Sequence, residues 1–141
     1  MELHQGIDFA RSRRQGVLAT LRLNGRPQLS NILYLMDDGG VARISITDSR
    51  AKTQNLRRDP RASLYVPGDS FWSYLVFEGM VDLSRVAADP SDPVADELVD
   101  IYREHQGEHP DWDEYRQTLV SDGRLVARFV PERAYGMPGS D

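Results

Sequence analysis

The segment with the most evident chemistry is Ser49-Arg50-Ala51-Lys52-Thr53-Gln54-Asn55. A helix starting here presents unpaired backbone N–H groups and the positive end of its dipole, a combination that suits a phosphate. Arg50 adds a fork of donors, Lys52 a point charge and Thr53 a hydroxyl. The basic run continues: between Arg50 and Arg61, five basic residues (Arg50, Lys52, Arg57, Arg58, Arg61) stand against Asp59 alone. That window carries +4 and the rest of the chain −9, for a net charge of −5. A solvated basic helix face explains the run equally well. A compact positive patch on an acidic chain points to a local anionic ligand, and the negative net charge argues against general nucleic-acid binding.

Two further clusters have types and spacing suited to ligand binding. Gln28, Ser30 and Asn31 interrupt an otherwise apolar strand and could hydrogen-bond a heterocycle lying along it. Ordinary alternation toward solvent accounts for Gln28 and Ser30, which share a face, but not for Asn31. Trp72 and Tyr74 fall on one strand face, where they would stack on a planar cofactor, form a subunit interface, or pack in the core. His105 and His109 have the spacing of a helical metal pair, but Gly107 lies between them, Pro110 follows and no third ligand is evident, so no metal site is expected. The chain has neither a Gly-x-Ser-x-Gly elbow nor a glycine-rich nucleotide loop, and no catalytic acid or base stands out.

The elements that would position these groups are mostly short strands. Residues 3–15 read as a helix with Ile7, Phe9 and Ala10 on its apolar side. Residues 17–23 alternate, with Val17, Ala19, Leu21 and Leu23 on one face, and Asn24-Gly25 turns the chain into a second strand over 27–36. Asp37 to Gly40 make the next turn, and Val41 to Thr47 a third strand with Ala42, Ile44 and Ile46 on one face. Asp48-Ser49 offers an N-cap for a helix over 50–58, stopped by Asp59-Pro60. Strands follow over 62–66 and 72–83, where Gly79 marks a bulge or a close backbone approach. Helices over about 89–104 and 112–120 form an acidic insertion. Strands over 124–130 and 131–136 close the chain.

A meander of this kind suggests a small antiparallel barrel, because closure removes exposed edges. The 141 residues, 40% of them hydrophobic, suit one domain spanning 1–141. There is no Cys, no basic-then-apolar leader pattern and no apolar run long enough to cross a bilayer, so a cytoplasmic protein with no membrane association is expected. From Val86 to Asp122 eleven acids stand against Arg103 and Arg116; helices that are solvated or packed in a dimer are the expectation for this segment.

Several segments, in order, carry a resemblance: Gly16 to Thr20, Gly25 to Asn31, Arg50-Ala51-Lys52-Thr53 with Asn55 to Arg61, Trp72-Ser73-Tyr74, Glu78-Gly79, Tyr102-Arg103, Trp112, Tyr115-Arg116 and Tyr135-Gly136. Together they resemble the pyridoxamine 5′-phosphate oxidase-like split β-barrel family, and within it the actinobacterial branch that uses the deazaflavin coenzyme F420. The resemblance implies a mainly β, Greek-key-like split barrel with peripheral helices, a homodimer with two cofactor sites at the subunit interface. It implies that Arg50, Ala51, Lys52, Thr53 and Asn55 or Arg58 hold the cofactor phosphate. It places the ring near Pro27, Gln28, Ser30 and Asn31 and along Ser45, Ile46 and Thr47, with Trp72 and Tyr74 of the second subunit closing the site. Arg57, Arg58 and Arg61 are candidates for the coenzyme's oligoglutamate tail. The implied activity is hydride transfer to a small organic acceptor. An FMN oxidoreductase of the same fold and a non-catalytic cofactor carrier are the alternatives. Pyridoxamine phosphate oxidases proper carry a longer, basic C-terminal region than Gly136 to Asp141, so vitamin B6 oxidation is not expected.

Overall fold

The computed structural model describes residues 1–139. Helix α1 (Leu3–Arg11) is followed by strands β1 (Gln15–Leu21), β2 (Pro27–Leu33), β3 (Leu35–Met36) and β4 (Ala42–Thr47). Helix α2 (Ala51–Arg58), strands β5 (Arg61–Pro67) and β6 (Tyr74–Leu83), helices α3 (Pro93–Gln106) and α4 (Trp112–Ser121), and the long strand β7 (Arg124–Met137) complete the order. The seven strands form one sheet in the order β2-β1-β5-β6-β7-β4-β3, with antiparallel neighbours throughout. The sheet curls until β2 and β4 touch, which makes a barrel split between those two strands.

Alternation drives the curl. Ala42, Ile44 and Ile46 of β4, Leu64 and Val66 of β5, Leu75 and Phe77 of β6, and Leu125, Ala127 and Phe129 of β7 all point into one core. Helix α1 lies against that core: Ala10 is buried, and the Tyr34 hydroxyl donates to its carbonyl oxygen at 2.7 Å. A second, smaller core forms where α3 and α4 cover the outside of β7, with Leu98, Ile101 and Leu119 packed on Val126. Covering both faces of β7 explains three consecutive buried residues, Leu125 to Ala127, in a strand that elsewhere alternates.

Four local outcomes differ from the sequence reading. Helix α1 stops at Arg11 rather than 15. The second strand breaks at Tyr34, whose N–H donates to the Arg14 carbonyl. The last two strands are one, with a register shift opposite Glu78 and Gly79. That shift is the bulge expected at Gly79, where a Cβ would lie 2.2 Å from the Val130 carbonyl oxygen. In β1 the core takes Gly16, Leu18 and Thr20, leaving Val17, Ala19 and Leu21 on the outside. Both faces of that strand are apolar, so periodicity alone could not choose between them.

The outward face is unusually apolar for an exposed surface. Register places Asn31, Val17, Tyr65, Val76 and Tyr135 side by side across five strands. Leu29, Leu33, Tyr65, Met80, Val130, Tyr135 and Met137 are exposed on it.

Candidate functional site

A cavity of about 590 Å³ opens over the split, walled by β2, β4, α2, α3, α4 and the start of β7. Its floor is made of two half-open strand edges. β2 pairs only with β1, and β4 pairs with β3 only at Ala42 and Arg43. Backbone groups of β2 and of Ile44 to Thr47 therefore face each other with no ladder between them, and such groups need partners.

Helix α2 enters this cavity with its first turn. Its N-cap is Arg50, and no side chain caps the helix. Asp48, expected as a cap, instead pairs with Arg57 and takes Gln54 Nε2 on its carbonyl oxygen at 2.8 Å. Arg50 is exposed, and Lys52 is half-buried on the cavity wall. Arg124, from the first position of β7, lies on the same wall and donates to Ser45 Oγ at 3.3 Å. Partial burial, then the nearby Arg50 and Arg124 charges, hold the Lys52 ammonium below the ordinary lysine range. Among the described residues none of these three cations has a carboxylate within 4.0 Å.

The other basic and polar residues of α2 are committed to holding the helix down. Thr53, fully buried, donates to the Thr47 carbonyl oxygen at 2.6 Å. Asn55 Nδ2 donates to the buried Thr20 Oγ1 at 3.1 Å. Arg58 Nη2 reaches both Asn55 Oδ1 at 3.1 Å and the Leu21 carbonyl oxygen at 2.7 Å. Thr20 continues the chain weakly to Gln28 Oε1 at 3.4 Å, and Gln28 Nε2 to Ser30 Oγ at 3.3 Å. Arg61 folds back on Asp59, drawing that carboxyl down to about 2.

Of the residues singled out in the sequence, Asn31, Ser45 and Lys52 therefore line one cavity although they come from three separate segments. Arg50 and Ala51 stand at its edge, on the exposed start of α2. Pro27 lies at the exposed start of β2, Ile46 in the barrel core, and Thr47 at the end of β4. Trp72 and Tyr74 lie elsewhere. Trp72 is 78% exposed on the β5–β6 turn, and Tyr74 stacks on Tyr65 with centroids 5.7 Å apart. Tyr74 pairs with Pro67, whereas α2 adjoins Arg61 at the other end of β5, about 20 Å away along the strand.

The sequence reading missed the far wall. Tyr102 and His105 of α3 and Tyr115 and Thr118 of α4 line the cavity, so the acidic insertion is part of the site. Leu98, Ile101, Tyr102 and His105 fall on one helical face, which was the available signal. Tyr102 packs edge to face with His109, Trp112 and Tyr115, and Arg103 lies 4.8 Å above Trp112. Burial raises the Tyr115 hydroxyl above its usual range, against the pull of Arg124. Burial, then Arg14, lowers the His105 imidazole, whose Nε2 is buried without a hydrogen-bond partner among the described residues.

The family model described as pyridoxamine 5′-phosphate oxidase matches residues 6–137. The chain belongs to that family. The split barrel is the family's fold, and solved structures agree with it. The conserved hypothetical protein Rv2991 from Mycobacterium tuberculosis is 26% identical, with a TM-score of 0.69 over 95% of this chain and 82% of that one. A protein named F420 Reductase is 24% identical, with a TM-score of 0.67 over 91% and 94%. HutZ, a heme storage protein from Vibrio cholerae, is 18% identical, with a TM-score of 0.66 over 96% and 95%. A protein named as a reductase and a heme protein are thus both similar to this chain in architecture, and the fold alone does not separate their functions.

Proposed function

We propose that this family member is an oxidoreductase that binds the deazaflavin coenzyme F420 and passes a hydride to a small organic acceptor. The observation that carries the reading is the cavity at the split, where Asn31, Ser45 and Lys52 converge beside an uncapped helix start. The donor set fits such a coenzyme. Arg50, Lys52 and the first N–H groups of α2 hold its phosphate. The open edges of β2 and β4 meet the amide-like edge of a flat heterocycle, with Asn31 and Ser45 as side-chain partners. The bound coenzyme supplies the two-electron chemistry; the chain orients it, neutralises its charge and keeps water from the ring. The F420 Reductase among the structural relatives agrees with this reading.

The same reading takes the protein as a homodimer of one-domain subunits. The apolar outer row from Val17 to Tyr135 is the face that a second copy covers. Trp72 and Tyr74, too far from α2 within one chain, would reach the site of the other subunit.

Fluorescence titration of one preparation with F420 and with FMN tests the cofactor. Tighter binding of the deazaflavin is expected; a clear FMN preference overturns the assignment in favour of a flavin oxidoreductase. Tight F420 binding without turnover of quinones or enones would make the protein a carrier.

A further inference from the structure

Lys52 and Arg124 line the cavity, Arg50 stands beside Lys52 at the exposed start of α2, and among the described residues none of the three has a carboxylate within 4.0 Å. Arg50 and Lys52 come from the start of α2, and Arg124 from β7, more than seventy residues later. Both arginines lie near enough to Lys52 to disfavour its charged form. Two acids, Glu114 and Asp122, also line the cavity, but neither is within 4.0 Å of a cation there. Each neighbouring basic residue of α2 has a partner: Arg57 has Asp48, and Arg58 has Asn55 and the Leu21 carbonyl. Among the described residues the Arg124 side chain makes one hydrogen bond, the long contact to Ser45 Oγ, which leaves most of its five N–H donors without a partner there. Like charges gathered in a partly buried wall repel one another, and a bound anion reverses that cost.

We propose that Arg124 completes an anion site with Arg50 and Lys52, and that this site takes a ligand whose phosphate region carries at least two negative charges. Such a group is a phosphate monoester, or a phosphate ester with a carboxylate close by. The inference rests on the phosphate placement given above and extends it to a residue from the opposite end of the chain. It takes the place of Arg58 at the phosphate, because the Arg58 guanidinium is already engaged by the Leu21 carbonyl and Asn55 Oδ1.

Matched ligand pairs test it: F420 against its phosphate-free riboflavin-level form, and FMN against riboflavin. Each is titrated by fluorescence or calorimetry into the full chain, Arg124→Gln and Lys52→Ala. Arg124→Gln should lower affinity for the phosphorylated member of the pair about ten- to hundredfold and leave the phosphate-free member unchanged. Arg124→Met, which keeps the aliphatic stem, replaces it if the Gln variant does not fold. Equal loss for both members would mean that Arg124 serves the ring or the fold, and no loss for either would mean that it lies outside the anion site; both overturn the inference. If Lys52→Ala weakens the phosphorylated ligand while Arg124→Gln does not, the phosphate placement stands and only Arg124 falls. If neither variant discriminates, the placement itself falls.

Discussion

Replacing Asn55 separates a fold-holding role from a phosphate-binding one. The residue is 7% exposed, and both ends of its side-chain amide are used: Nδ2 donates to Thr20 Oγ1 and Oδ1 accepts from Arg58. Asn55→Ala deletes both bonds and leaves a small void between α2 and β1. Thr20 is fully buried, and its remaining partner, Gln28 Oε1, is 3.4 Å away. Arg58 keeps the Leu21 carbonyl, so its loss is slight. An under-satisfied buried hydroxyl costs about 1–3 kcal/mol, and with the void the total is about 2–3 kcal/mol. For a chain of this length each kcal/mol moves the thermal midpoint by about 4 °C, so a fall of about 8–12 °C is expected. Thr20→Val with Asn55→Leu should recover much of it, because removing both polar partners is far cheaper than removing one. Thermal and denaturant melts of Asn55→Ala and of the double variant read this directly. A stability change under about 0.5 kcal/mol in Asn55→Ala, the size expected of a neutral surface change, together with a clear loss of cofactor affinity, would refute the reasoning and return Asn55 to the phosphate.

Gly79→Ala forces a Cβ to within 2.2 Å of the Val130 carbonyl oxygen at the bulge, and should cost about 3 kcal/mol or more by urea denaturation. Acidification should weaken the fold through His105. Its folded imidazole titrates below the unfolded value of 6.5, so the unfolded chain binds the extra proton as pH falls through that value. Stability from this group is complete above 6.5 and declines below it; urea melts at pH 7.5 and 5.5 should show a smaller drop for His105→Gln than for the wild type.

The sequence by itself determined what depends on neighbours along the chain. Asn24-Gly25 set a tight hairpin between β1 and β2. Strict alternation oriented β4, and the Pro93 and Asp92 pair opened α3, with Asp92 accepting from the Ala95 N–H. The clustering of charge around Arg50 was equally legible, because it needs only composition.

Tertiary structure decided every choice between two locally equal options. β1 is apolar on both faces, and only the curl of the sheet sent Leu18 and Thr20 inward and Val17 and Ala19 outward. Thr53, Asn55 and Arg58 have the chemistry of phosphate ligands. They became internal braces because β1 and β4 present a buried hydroxyl and two open carbonyls to them. Arg124 carried no local signal; it joins Lys52 only because β7 pairs with β4 in a register that sets it opposite Thr47. The place of Arg124 at the split is thus a property of sheet register, which a single residue's type cannot encode. The unpaired positive charge around Arg50 is therefore narrower than its basic run, and it includes a residue from near the far end of the chain.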